Sequence, residues 1–174
     1  NAANLGITAV HMLRETFEDQ NHIRFHPIIT NGGTSVNTVP EEVILKAYVR
    51  GATTEAIIDA NQRINNALTF SGKALNAEVV ITDEFGYMPT HLSKELSQVV
   101  LNSMLEFVDE ESILHNQETT ASGDVGDISN IIPTVQFGYG GNKGIVHSKS
   151  FVTSDYEAAY ILPMKVLLSS ILKL

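Results

Sequence analysis

The apolar pattern of this 174-residue chain predicts a mixed α/β protein in two parts. Three observations carry that expectation. Apolar residues at three- and four-residue spacing mark helices near residues 1–18, 54–71, 93–108 and 154–172. Two alternating runs, at 22–30 and 42–49, flank an Asn31-Gly32-Gly33 turn signal and predict a β-hairpin. Gly86-Tyr87-Met88-Pro89 then interrupts the chain and separates the parts.

In the first helix the predicted stripe is Leu5, Ala9, Met12, Leu13 and Phe17, with Arg14, Glu15 and Glu18 between them and Asn1 as a cap. The first β run alternates Ile23, Phe25 and Pro27 against Arg24, His26 and Ile28. The second sets Val43, Leu45, Ala47 and Val49 on one face. The second helix starts at Thr53-Thr54-Glu55-Ala56 and carries Ile57, Ile58, Ile64 and Leu68 as its stripe. A short strand is expected at 78–82, loop at 115–126, a β run at 131–137 and a glycine-rich turn at 138–144. Ser154 and Glu157 have capping-box spacing, and Pro163 should kink the last helix. Up to about residue 84 the order is αββαβ, a split βαβ or ferredoxin-like unit lacking its first strand. That strand is central in the common order, so its absence exposes two edges and half a core. From about residue 91 the order α, loop, β, α suits the tail of a separate α/β layer.

Composition narrows the classes. Hydrophobic residues make up 43% and charged residues 18%, which suits a folded chain. Twenty acidic residues against 11 basic give a net charge of -9, and no Lys/Arg cluster exceeds two residues. Such a chain is not expected to bind nucleic acid or an anionic membrane. The absence of cysteine excludes disulfides, thiol nucleophiles and thiolate ligands, and fits a cytoplasmic location. No apolar run approaches the ~20 residues of a membrane span. Residues 1–13 lack the basic start and cleavage site of a signal peptide, and with no initiator Met the chain is expected to begin inside a longer product.

Three segments form the functional signal. They are Gly32-Gly33-Thr34-Ser35-Val36-Asn37-Thr38-Val39-Pro40 running on to Arg50, then Ser122-Gly123-Asp124-Val125-Gly126-Asp127-Ile128-Ser129, then His147-Ser148-Lys149-Ser150-Phe151. In this order the chain resembles the second half of the aminoacylase/glutamate-carboxypeptidase family of metal-dependent amidohydrolases, in the branch near the p-aminobenzoyl-glutamate hydrolases. The resemblance implies a partial lid and dimerisation domain, about residues 1–87, and the C-terminal part of a metallopeptidase-type α/β catalytic domain, about 88–174. Asn1-Ala2-Ala3-Asn4-Leu5-Gly6 is similar to the start of the family's lid helix. The loop His that precedes that helix would lie before Asn1.

The resemblance assigns roles residue by residue. Asn37 and Arg50, at the family's thirteen-residue spacing, would hold the substrate carboxylate. The chemistry agrees, because a guanidinium is a planar fork for a carboxylate and an amide adds a neutral donor; the bland reading is a hairpin with a surface Arg. His147 matches the family's last metal ligand, and imidazole suits zinc and manganese; a lone His before a helix is otherwise structural or exposed. Gly126 would let backbone approach the substrate. Asp124 and Asp127 would brace that loop or be ordinary loop carboxylates, and Gly123 replaces the family's Thr. Two divalent ions would activate water and polarise the scissile carbonyl of an N-acyl amino acid or dipeptide-like substrate. The general base and most metal ligands belong to the family's other half, so no catalytic residue is expected on this chain. It would act as part of a homodimer joined through the lid, or with a separate N-terminal fragment.

Other candidates are weaker. Glu41-Glu42 falls between Asn37 and Arg50 and reads as solvent-facing charge rather than the family's catalytic pair. His26 recurs in the same branch without a known duty. His11, His22, His91 and His115 show no metal spacing. Gly138-Tyr139-Gly140-Gly141-Asn142-Lys143-Gly144 lacks a Gly-Lys-Ser/Thr ending and a following helix, so it reads as a turn that places His147 rather than a phosphate loop. The alternative class is a non-catalytic amino-acid-binding or dimerisation module.

Overall fold

Helix formation in the first part follows the predicted spacing, but the buried face is rotated. In the computed structural model, which describes residues 1–115 and 123–174, α1 (Ala2–Met12) buries Gly6 and Val10. Leu5 and Met12, expected in the stripe, stay exposed at 40% and 72%. The reason is a close helix approach. A Cβ on Gly6 would stand 3.0 Å from Leu68 Cδ2 of α2 (Thr54–Ala74), so the small residue marks the contact line. Val10, Ala60 and Ile64 form the core there. A 3₁₀ turn, Leu13–Thr16, ends α1 and brings Phe17 under Arg63, whose Cζ lies 4.6 Å from the ring centroid.

β1 (Arg24–Asn31) and β2 (Ile44–Arg50) form the expected antiparallel hairpin. α2 begins where expected, capped by Thr53, whose Oγ1 accepts from the Ala56 N–H at 3.2 Å. The expected strand at 78–82 is absent, which corrects the αββαβ reading. The segment runs back along α2 instead. Ala77 N–H donates to the Gly72 carbonyl at 3.0 Å, Val79 lies against Gly72, and Asn65 and Asn61 both donate to Asp83 Oδ2, at 2.8 and 2.9 Å. A strand needs a laddered neighbour, and here helix α2 is the neighbour.

The chain divides into two compact units, Asn1–Pro89 and Thr90–Leu174. In the second, α3 (Lys94–Met104) is capped by Ser93, and α4 (Asp124–Ser129) occupies part of the region expected to be loop. The expected β run at 131–137 is irregular backbone, tied by Ser93 N–H donating to the Thr134 carbonyl at 2.8 Å. β3 (Asn142–Lys143) and β4 (Val152–Thr153) make a two-residue antiparallel ladder. The last helix is in two parts: a π-turn at Glu157–Ile161, then α5 (Leu162–Leu172). Pro163 explains the break, since it removes an N–H and crowds the carbonyl four residues back; the wider turn accommodates both. Asp155, not Ser154, starts this helix, with Oδ1 accepting from Ala158 N–H at 3.1 Å. Among the described residues of this unit, Val100, Ala159 and Val166 are the buried apolar ones. Lys173 Nζ joins α5 to α3, reaching Glu106 at 2.6 Å and Ser103 at 3.1 Å. The Lys173 hydrogen bond, then that from Ser169, holds the Glu106 carboxyl below its ordinary value. The chain is thus mixed α+β with small two-stranded sheets. No helix among the described residues is long and apolar enough to cross a membrane.

Candidate functional site

The hairpin register decides what surrounds Arg50. Phe25↔Val49, Pro27↔Ala47 and Ile29↔Leu45 pair on one face, and Arg24↔Arg50, His26↔Tyr48 and Ile28↔Lys46 on the other. Phe25 makes an edge contact with His11 of α1, centroids 6.5 Å apart, so the first face is the packed one. The second is the wetter face, with Tyr48 68% and Ile28 61% exposed. Directly opposed residues have Cβ atoms about 5 Å apart. Arg24, Arg50, Lys46 and His26 therefore form a basic face on a chain of net charge -9. The Arg50 guanidinium lies over the Tyr48 ring at 5.6 Å, a cation–π contact that limits its directions. Such a face can bind carboxylate or another planar anion.

Asn37 stands elsewhere on the hairpin. It is exposed in the connecting loop, where its Oδ1 accepts from Ser35 Oγ. That loop re-enters at Ile44, and β2 then runs about 20 Å to Arg50 at the ladder's far end. Glu41 and Glu42 are exposed in the same loop, and His26 is exposed opposite Tyr48.

His147 lies in the loop between β3 and β4, exposed, at φ 67°. Around it Ser148 N–H donates to the Ile145 carbonyl at 3.0 Å, Ile145 N–H to Ser150 Oγ at 3.1 Å, and Phe151 N–H to the Ser148 carbonyl at 3.1 Å. Gly144, at φ +98°, closes the loop so tightly that a Cβ there would meet the Ser150 carbonyl oxygen at 2.0 Å. The imidazole is thus presented on an ordered turn. Among the described residues no group of three or more His, Cys, Asp or Glu is placed to hold a metal ion. His147 therefore offers one donor where a zinc site takes three or four, and this chain does not by itself fit the two-metal centre.

Gly126 is buried in α4 rather than presented from a loop. Its carbonyl accepts from Ser129 Oγ at 2.8 Å and Asn130 Nδ2 at 2.9 Å, and its N–H donates to the Gly123 carbonyl at 3.0 Å. Its backbone groups are engaged within the turn. Asp124 and Asp127 belong to the first turn of α4, and Ser122 lies outside the described residues.

One cleft escaped the sequence reading. His91, Ser93, Glu95, Ser129 and Asn130 line an open cavity of about 340 Å³. Ser129 Oγ accepts from the His91 N–H at 2.9 Å, and Ser93 Oγ donates to Glu95 Oε2 at 2.9 Å. Backbone hydrogen bonding at the helix start, then the Ser93 bond, lowers the Glu95 pKa. The signal in the sequence was Ser93 as a cap two residues after a His.

Compared with protein-family models the chain matches none, and no curated protein matches it significantly.

Proposed function

We propose that this chain is the C-terminal portion of a metal-dependent amidohydrolase that cleaves the amide bond of N-acyl amino acids or dipeptide-like substrates. The carrying observation is Arg50, half-buried on the basic face of the hairpin opposite Arg24, with its guanidinium over Tyr48, within a segment whose motif order resembles that family. Arg50 binds the substrate carboxylate through its planar fork, and Asn37 adds an amide donor if its loop reaches that end of the hairpin. His147 is a single metal ligand. The remaining ligands and the general base come from polypeptide outside this chain, and the two divalent ions, zinc or manganese, supply water activation there.

The first unit is read as a ferredoxin-like lid. In the common strand order the missing first strand would lie along the outer edge of β2, and the segment at 78–82, which forms no strand here, would lie beyond it. The second reading, a non-catalytic amino-acid-binding or dimerisation module, is favoured by the lack of a metal group among the described residues.

Arg50→Lys in the completed enzyme tests the proposal. Loss of a charge-assisted fork should cost about 1.5–3 kcal/mol, roughly ten- to a hundred-fold in kcat/KM. Substrates with an amidated terminal carboxylate should lose far less. An equal loss for both forms rejects Arg50 as the carboxylate anchor.

A further inference from the structure

Asn31 stands where the hairpin ladder stops. It is the last residue of β1 and pairs with Ile44, past an irregularity between Ile29 and Asn31. Gly32 follows it, in the only Asn-Gly step of the sequence, and both residues are exposed. Among the described residues no acceptor takes the Gly32 N–H, and no group bonds the Asn31 side-chain amide. The connecting stretch 32–43 shows one backbone hydrogen bond, from Thr38 N–H to the Ser35 carbonyl at 3.4 Å, so little holds the Gly32 peptide plane. Asparagines in the other turns are held. The residues after Asn21, Asn37, Asn76 and Asn130 already donate their N–H groups, to the carbonyls of Asp19, Ser35, Gly72 and Ile128. Asparagines inside α2 and α3 are followed by N–H groups of the helix ladder. An N–H given to a carbonyl cannot turn onto the preceding side chain without breaking that bond.

We propose that Asn31 is a self-modification site, where the hairpin loses a side-chain amide and gains an aspartyl or isoaspartyl residue. The Gly32 nitrogen attacks Asn31 Cγ. A C–N bond forms, the Cγ–Nδ2 bond breaks, and the proton of the Gly32 N–H departs with the released ammonia. Glycine has no Cβ to crowd this ring closure. The cyclic imide then takes up one water. Opening at the side-chain carbonyl leaves an aspartate at position 31 with the main chain restored. Opening at the main-chain carbonyl leaves an isoaspartate, with the chain running through Cγ. Either product adds a negative charge to a loop that already holds Glu41 and Glu42. The isoaspartyl product also lengthens the main chain by one methylene at the residue that pairs with Ile44. The ladder from Arg24↔Arg50 to Ile29↔Leu45 is kept, the pair at Ile44 is lost, and the loop carrying Asn37 is re-aimed. This inference does not rest on the amidohydrolase reading, and activity measurements do not bear on it.

The test is peptide mapping by mass spectrometry after incubation at mildly alkaline pH, on the full chain native and in urea. Trypsin cuts after Arg24 and Lys46, and fragment masses from the peptide 25–46 separate Asn31 from Asn37. In the native chain amide loss should accumulate at Asn31, as isoaspartate and aspartate together, while Asn37 and Asn76 keep their amides. The native rate at Asn31 should lie within about fivefold of the rate in urea, because the end of a ladder opens at almost no cost. Gly32→Pro has no N–H to attack, and Asn31→Gln would need a larger ring, so both variants should abolish the change at position 31. A native chain that keeps the Asn31 amide while the chain in urea loses it overturns the proposal. So does conversion of Asn37 or Asn76 ahead of Asn31, or a Gly32→Pro variant that reacts as the parent does. If Gly32→Pro fails to fold, Asn31→Gln decides.

Discussion

His147 is a non-glycine residue held in the left-handed region, at φ 67°, on a loop closed by Gly144 and the Ser148 and Ser150 hydroxyls. That conformation costs an L-residue about 1–2 kcal/mol, and His tolerates it better than most. If the imidazole serves as a ligand rather than as a brace, the fold should not need it. His147→Gly should unfold within about 1 kcal/mol of the parent in urea, because relief of the left-handed backbone offsets glycine's greater freedom when unfolded. A loss of more than about 2 kcal/mol would show that the side chain supports the loop. The sequence disclosed that this His follows a glycine-rich turn, but not that two serines build the loop. Asn37 and Arg50 show a related limit. Their spacing is readable, while the placing of Asn37 in the connecting loop and Arg50 at the far end of β2 depends on where the ladder starts, at Ile44.

The helix starts at Thr53 and Ser93 were legible because capping is local, the side chain and the N–H it accepts from lying three residues apart, whereas Asn1, expected as a cap, makes no side-chain cap bond to α1. The hairpin was legible for the same reason. The strands expected at 78–82 and 131–137 were not, because β-propensity reports a side-chain preference and not the presence of a neighbour. Pro163 was expected to kink the last helix, and the π-turn just before it is how the backbone absorbs the missing N–H. Segment 77–83 owes its course to α2, and Gly72 is the point of contact. A Cβ there would lie 2.1 Å from Val79 Cγ2. Gly→Ala late in a helix ordinarily stabilises by up to about 1 kcal/mol. Here the stiff valine cannot yield without moving the segment, and overpacking of this kind costs about 1–3 kcal/mol. Gly72→Ala should therefore destabilise, and adding Val79→Ala should recover part of the loss, with a coupling above about 0.5 kcal/mol in the double-mutant cycle. A stabilised Gly72→Ala variant, or strictly additive effects, would contradict that packing.

The molecule exposes more surface than its mass calls for. A folded monomer of 19.0 kDa has about 8,400 Å² of accessible surface by the usual scaling, and two separate bodies of half that mass about 10,000 Å². This chain has 13297 Å². The excess over even two separate bodies is about 3,000 Å², more than the 1,200–2,000 Å² of a standard interface. Its character is apolar in part: Val36, Val80, Phe85 and Ile131 are each more than 80% exposed. In the proposed division of labour, surface of that kind is where other polypeptide would dock. The proposed catalytic half, with the metal ligands that His147 lacks, would cover part of it. The isolated chain, supplied with zinc or manganese, should therefore hydrolyse no N-acyl amino acid, since one imidazole cannot hold a working metal. It should also bind a dye for exposed apolar surface, and that binding should fall when a completing polypeptide is added. Metal-dependent amidase activity from the 174-residue chain alone would sink the division of labour proposed for it.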